Sequence, residues 1–235
     1  MTTSIRTGLS APAVATAALL AFAPPGAGAT PLDTSFGGSN FVDTPISGTT
    51  SAARPELAGT VLVDTLQSYS FGSVSGEVQN RVVREDGTGT LDFYWRILPD
   101  PGTTDAGAIS AFRIGNFGYA SLTDADWRID GLGAVAPTTA RLFNPAVHPE
   151  GDINFLFDPA IPSSGDGSMF FFLHTDATNF AYTAFYDFVG SPGDNISGLF
   201  GTYAPAVPEP TPAVLLALGL MTLGWLRTRR ARRAD

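Results

Sequence analysis

The chain of 235 residues contains no cysteine and no lysine, and it has only two histidines. The absence of cysteine excludes disulfides, a thiolate nucleophile and a Cys-ligated metal, so a folded domain must rely on its core alone. The motifs H-E-x-x-H and G-x-S-x-G do not occur either. The commonest serine-hydrolase signature is therefore missing, and with no Cys/His cluster either we expect no zinc site.

Positive charge is scarce in the middle of the chain. Between Thr30 and Pro205 there are seven arginines and twenty acidic residues, a net charge of −13, whereas the whole chain carries −9. Nucleic-acid binding requires Lys or Arg to neutralise phosphate, so this composition argues against a nucleic-acid partner. Neutral glycans, or acidic glycans bridged by calcium, remain open as ligands. The segment is long enough for one domain with a real core.

Turn-forming residues interrupt this body at short intervals, and no stretch has a helical period. The pattern predicts an all-β fold, an antiparallel β-sandwich of jelly-roll-like type. We expect an edge strand or loop over Thr30–Pro55 and a loop over Leu142–Gly151. The predicted strands are Ala58–Leu66 joined to Ser68–Ser73, Ala108–Ile114, Trp127–Leu132, a strand around Ile153, Phe155 and Phe157, Met169–Thr175 in the centre of a sheet, Phe180–Val189 and Ile196–Tyr203.

The segment Val74–Leu98 has the clearest pattern. Valines at 74, 78 and 82 alternate with polar residues, a turn with Asp86-Gly87 follows, and apolar residues at 91, 93, 95 and 97 then alternate with Asp92, Tyr94 and Arg96. This predicts a β-hairpin with one buried face and one polar face.

Candidate catalytic residues are few. His174 has Asp176 two residues later, on the same face of a strand, which makes His174 a candidate base, but a hydrogen-bonded or solvated strand-end histidine is the favoured reading. His148 lies in a predicted loop. Glycoside hydrolysis needs only two carboxylates at a suitable separation, and sequence does not give that separation. We therefore expect no catalytic residues and no obligatory cofactor.

Two kinds of ligand site deserve a test. The segment Asp124–Gly131 reads D-x-D-x-x-x-D-G, so a turn holding Ca²⁺ on Asp124 and Asp126 is a candidate, although the further ligands and final Glu of an EF-hand are absent. Asp residues that cap an ordinary turn are the alternative. If Trp127–Leu132 is a strand, Arg128 and Asp130 share a face and would pair. Tyr94, Phe117 and Tyr119 are candidates for an exposed aromatic platform that stacks on sugar rings.

The first 29 residues predict a signal peptide. Arg6 precedes an apolar run over Ala11–Ala23, and Ala27-Gly28-Ala29 forms an A-x-A-like cleavage site before Thr30. An uncleaved membrane anchor is the alternative. We expect cleavage between Ala29 and Thr30, because small residues precede the break and the apolar run is short.

Residues 206–235 predict a second signal. Val207-Pro208-Glu209-Pro210 is followed by an uncharged run over Ala213–Leu226 and by a basic tail over 227–235. As a helix the run is about 21 Å long, shorter than the roughly 30 Å hydrocarbon core of a bilayer. It would cross the membrane only by thinning it or with help from neighbouring residues. The basic cluster should stay cytoplasmic and stop transfer. It comprises Arg227, Arg229, Arg230, Arg232 and Arg233.

The order of motif, short apolar run and arginines resembles the PEP-CTERM sorting domain of diderm bacteria, and the resemblance covers about thirty residues. It implies recognition by an exosortase, a membrane transpeptidase, and cleavage near the motif. It also implies an association with exopolysaccharide and biofilm matrix. An ordinary single-span anchor is the alternative reading.

The sequence therefore predicts three parts, a signal peptide over 1–29, an ectodomain over 30–205 and a sorting signal over 206–235. We expect a precursor held in the inner membrane by one short C-terminal helix, with its body facing the periplasm, and a mature form at the cell surface or outside the cell. The body is expected to be a non-enzymatic matrix protein. A carbohydrate-binding module that retains exopolysaccharide is the alternative, and a glycoside hydrolase is a less favoured one.

Overall fold

The computed structural model of the protein describes residues 30–100, 107–119, 121–149, 151–192 and 195–206. The predicted signal peptide (1–29) and nearly all of the predicted sorting signal, from Val207 onward, lie outside the described residues. Within the described residues no helix is long and apolar enough to cross a membrane.

Eleven strands and one short 3-10 helix, Pro55–Leu57, account for the regular structure of the described residues. Their order agrees with a chain in which turn residues separate short runs of β-formers. The strands are β1 (Phe41–Pro45), β2 (Gly59–Phe71), β3 (Val74–Glu85), β4 (Leu91–Pro99), β5 (Ala108–Gly115), β6 (Leu122–Trp127), β7 (Thr139–Phe143), β8 (Ile153–Pro162), β9 (Phe171–Thr175), β10 (Phe180–Ser191) and β11 (Phe200–Pro205).

The strands form two antiparallel sheets, so the all-β prediction is confirmed. The six-stranded sheet has the order β1-β7-β8-β5-β10-β11, and the five-stranded sheet has the order β2-β3-β4-β9-β6. Aromatic side chains fill the space between the sheets. Phe171 of β9 lies 4.7 Å from Phe155 and 5.1 Å from Phe112, both in the other sheet. The Trp95 indole nitrogen donates to Thr202 Oγ1 across the same space at 2.9 Å.

The predicted hairpin is β3–β4, which pair from Gly76–Pro99 to Arg84–Leu91. Its predicted apolar face is buried, with Val78, Val82, Phe93 and Trp95 each at most 1% exposed. Its second face was predicted to be polar and exposed, which holds at Glu77 but not where β4 pairs with β9. Asp92 is fully buried and Tyr94 is 5% exposed, because the chain before β2 folds over this outer face of the five-stranded sheet. Leu57, Val83, Tyr94, Phe170 and Phe172 form a second, smaller core there.

Most of the other predicted strands are confirmed. The segments 58–66 and 68–73 form the single long strand β2, and β9 lies in the interior of its sheet, between β4 and β6. The edge strand expected within Thr30–Pro55 is β1.

Three strand assignments differ from the prediction. The strand expected over Trp127–Leu132 lies instead at 122–127, the strand expected over Ile196–Tyr203 begins only at Phe200, and β7 was not predicted. Five residues of β7, Thr-Ala-Arg-Leu-Phe, are too few to show a period, and pairing with β1 and β8 fixes them as a strand.

Candidate functional site

The strongest concentration of buried charge lies on the outer face of the five-stranded sheet. In the strand registers Asp92 of β4 faces His174 of β9, and His174 faces Asp124 of β6. Directly opposed residues in neighbouring strands project on the same side of a sheet, so these three side chains form a row across three strands. Glu85, the last residue of β3, reaches the same place from the end of the hairpin.

His174, Asp92 and Glu85 make up what we call the His174 cluster. The Nδ1 atom of His174 lies 2.7 Å from Asp92 Oδ1 and 3.1 Å from Glu85 Oε1. Both carboxylate side chains are completely buried, whereas the imidazole side chain is 17% exposed. The second oxygen of Glu85, Oε2, accepts hydrogen bonds from the hydroxyls of Thr88 and Thr90 in the hairpin turn. The turn therefore fixes the orientation of Glu85.

A buried arginine closes the other end of the row. Arg54 comes just before the 3-10 helix and is 2% exposed. It donates two hydrogen bonds, of 2.7 and 3.2 Å, to the carboxylate of Asp124. Its Nε donates to Glu56 at 2.9 Å, and its guanidinium lies 5.7 Å from the centre of the Phe172 ring. A bidentate pair of this kind is the geometry in which a buried arginine is best compensated.

Burial is the largest single influence on the pKa values of this region, although it does not always set the direction of the net shift. It raises the pKa of Asp92 to about 6, an effect that the neighbouring His174 partly offsets. For His174, burial lowers the pKa, but the hydrogen bond to Asp92 and the surrounding carboxylates outweigh it, and the net shift is upward. Burial also raises the pKa of Asp126, two residues beyond Asp124. The cluster therefore holds protons more tightly than isolated side chains would.

The pairing predicted for His174 was wrong in its partner. Asp176 lies just beyond β9, which ends at Thr175, and the carboxylates that face the imidazole come from β3 and β4, 89 and 82 positions away in sequence. Sequence reasoning missed Glu85 and Asp92 as site residues. The alternation in β4 placed Asp92 on the outer face, but nothing local showed that β9 pairs with β4.

The segment that was predicted to be a calcium-binding turn is, at Asp124 and Asp126, part of a strand. Asp124 and Asp126 lie in β6 and are buried. Arg54 occupies both oxygens of Asp124, and Asp126 Oδ1 accepts from the backbone N–H groups of Gly48 and Trp127. The pairing of Arg128 with Asp130, given as the simpler reading, is confirmed by bonds of 2.8 and 3.1 Å.

The predicted aromatic platform does not exist at Tyr94 and Phe117. Tyr94 packs against Phe172 at 4.9 Å, and Phe117 packs edge-on against Phe93 at 5.2 Å in the core. Tyr119 is half-buried and donates its hydroxyl to the carbonyl of His148. An exposed ring does occur elsewhere. Tyr182 of β10 is 58% exposed and its ring contacts Tyr203 edge-on at 5.0 Å.

No protein family, curated protein or solved structure matches this chain. The geometry of the described residues and the sequence itself are thus the grounds for a functional proposal.

Proposed function

We propose that this protein is an exported cell-surface or extracellular-matrix protein, sorted and processed through its C-terminal signal by an exosortase-type transpeptidase. The observation that carries the proposal is the order of Val207–Pro210, the uncharged run Ala213–Leu226 and the terminal arginines. Prolines at 208, 210 and 212 favour an extended backbone, which suits docking in a peptidase cleft. The short apolar run and the cytoplasmic arginines would hold the precursor until cleavage.

In this proposal the body is a non-enzymatic scaffold with a jelly-roll-like topology. Nested strand pairs support that topology, since β4 pairs with β9 while β5 pairs with β8. The side chains of Glu85 and Asp92 face one histidine and are fully buried, whereas glycoside hydrolysis needs two carboxylates that face an open cleft. Buried acids engaged with a histidine fit a structural role better than that reaction.

A carbohydrate-binding module is the second candidate, and Tyr182 is the observation that favours it. The ring of Tyr182 packs directly against the backbone of Gly201. A Cβ at position 201 would lie only 2.5 Å from the Tyr182 side chain, so the close contact requires glycine there. The side chain remains more than half exposed, with Tyr203, Gln67 and Thr65 beside it around a shallow depression. A seated aromatic ring next to amide and hydroxyl groups is suited to stack on a sugar and to hydrogen-bond its hydroxyls.

The sorting proposal is tested by intact-mass spectrometry of the protein recovered from membranes, cell surface and medium of the native host. We expect the wild-type chain to begin at Thr30 and end within 207–212. Glu209→Ala should accumulate in the membrane with residues 213–235 still attached, because the motif lacks its carboxylate.

Thr211→Ala is the matched control, since it changes a neighbouring residue outside Val207–Pro210 and should be processed like the wild type. Normal processing of Glu209→Ala, or a wild-type surface form that retains 213–235, would refute the proposal and leave an ordinary membrane anchor.

A further inference from the structure

We infer that Glu85, Asp92 and His174 form a binding site for a divalent transition-metal ion of the Zn²⁺ type. One ligand atom from each residue lies within 4.8 Å of the ligand atoms of the other two, and Nδ1 of His174 is 2.7 Å from Asp92 Oδ1 and 3.1 Å from Glu85 Oε1. Ligands at about 2.1 Å from a tetrahedral ion are separated by roughly 3.4 Å, so small side-chain rotations bring all three atoms onto one ion. The inference concerns the body alone and does not depend on how the protein is sorted.

A buried oxygen of Glu85 that has no hydrogen-bond partner in the described part of the chain points independently to a bound cation. The Nδ1 atom of an imidazole carries at most one hydrogen, and that of His174 lies closer to Asp92 Oδ1, at 2.7 Å, than to Glu85 Oε1, at 3.1 Å. Glu85 Oε1 is left buried without a hydrogen-bond partner among the described residues. A buried carboxylate oxygen in that position is costly, and a cation coordinated by all three residues removes the cost.

The local charge points the same way. Besides Glu85 and Asp92, the face buries Asp124 and Asp126, and the buried cation opposite them is Arg54, which is already committed to Asp124. Of these buried carboxylates, Glu85 and Asp92 are therefore left to share a single imidazole. A divalent ion would neutralise two carboxylates while the histidine serves as a neutral ligand.

The groups around the His174 cluster are of the kinds that support metal ligands in proteins. Thr88 and Thr90 hold the non-coordinating oxygen of Glu85, which is the role of residues that orient metal ligands from behind. The His174 side chain is 17% exposed, so the cluster lies near the protein surface. One imidazole nitrogen with two carboxylates suits Zn²⁺ better than Ca²⁺, because Ca²⁺ prefers six to eight oxygen ligands.

The test uses the full-length chain purified in detergent, stripped with a chelator and titrated with Zn²⁺ at near-neutral pH. We expect saturable binding of one ion per chain by calorimetry and a higher midpoint of thermal unfolding. His174→Gln should lose both effects. His148→Gln is the matched control, since His148 also faces a carboxylate, Asp152 at 3.0 Å, but on the surface and without a second acid.

A second measurement keeps the inference testable if His174→Gln does not fold. Co²⁺ bound to the wild-type chain should give the intense visible absorption of a four-coordinate site, Zn²⁺ should displace it, and Ca²⁺ should not. Absence of Zn²⁺ binding to the wild type overturns the inference. So does a His174→Gln variant that binds like the wild type, or loss of binding in His148→Gln instead.

Discussion

Arg54 shows at the scale of one residue how a charge can be buried in this fold. Its guanidinium lies against Phe172 of the smaller core and forms an ion pair with Asp124, 70 positions later in sequence. Desolvation alone would lower the pKa of Arg54, but the hydrogen bonds to Asp124 and Glu56 reverse the shift. Removing either member leaves the other buried without its main partner, since Glu56 engages only the Nε of Arg54 and is itself 44% exposed.

We predict that Asp124→Ala lowers the free energy of unfolding by about 3–5 kcal/mol, the usual cost of removing one partner from a buried pair. Asp43→Ala is the control. Asp43 also pairs with an arginine, Arg141, but its side chain is 42% exposed, and such pairs contribute about 0–1 kcal/mol. Urea unfolding of both variants measures the difference. Equal losses would show that the Arg54 pair contributes no more than a surface ion pair.

At the scale of elements, β4 shows why a correct strand prediction can still misplace its side chains. Alternation identified the two faces of the strand, and the inner face was assigned correctly. The outer face is covered by residues before β2, and Leu57 of the 3-10 helix packs on it. Polar residues on that face, such as Asp92, are therefore buried and must be paired.

The β10–β11 pair carries the exposed aromatic surface on which the carbohydrate-binding candidate depends. We predict that Tyr182→Ala weakens retention of the host's exopolysaccharide by about tenfold, which corresponds to the loss of one stacking contact of roughly 1.4 kcal/mol. Affinity electrophoresis in gels containing the polysaccharide measures retention. Because Tyr182 is exposed, the midpoint of thermal unfolding should change little.

Phe41→Ala provides the comparison for that experiment. Phe41 is 40% exposed on β1, at the opposite edge of the same sheet, and packs under the Arg141 guanidinium. We expect its removal to leave retention unchanged. If both variants retain the polysaccharide like the wild type, the carbohydrate-binding candidate fails at this surface.

For the molecule as a whole, the upward pKa shifts predict how stability depends on pH. The pKa of Asp92 rises from 3.8 to about 6 and the pKa of His174 also rises, so the folded state binds more protons than the unfolded state from about pH 4 upward, until both groups have lost their protons. The His174 contribution is complete below its unfolded pKa and is lost as pH rises through the folded value. The penalty for ionising Asp92 also grows as pH rises toward 6.

We therefore predict that metal-free protein unfolds more easily at about pH 8 than at about pH 5, with a difference of about 2 kcal/mol. Urea unfolding in the presence of a chelator checks the direction. Asp92→Asn should flatten the dependence, because it removes the raised carboxyl and the hydrogen bond that raises the pKa of His174, while His148→Gln should preserve it. A stability that rises between these pH values, or an unchanged slope in Asp92→Asn, would contradict the prediction. Below about pH 4 the sign reverses, because Asp43 and Asp130 have lowered pKa values that favour their charged forms.

The sequence by itself determined the class of fold, the β3–β4 hairpin and the buried faces of β3, β4 and β8. It is also the whole basis of the sorting prediction at Val207–Pro210. These features are local, because a two-residue period, a turn or a linear motif is contained in a few neighbouring positions.

Only the tertiary structure decided that Glu85, Asp92 and His174 meet and that Arg54 covers Asp124. The period of a strand identifies its faces, but it does not specify which strand lies beside it or what packs on top. Asp92 and His174 are 82 positions apart and became neighbours through the register of β4 and β9. That register is fixed by burial of the whole core, so the cluster cannot be read from any one segment of the chain.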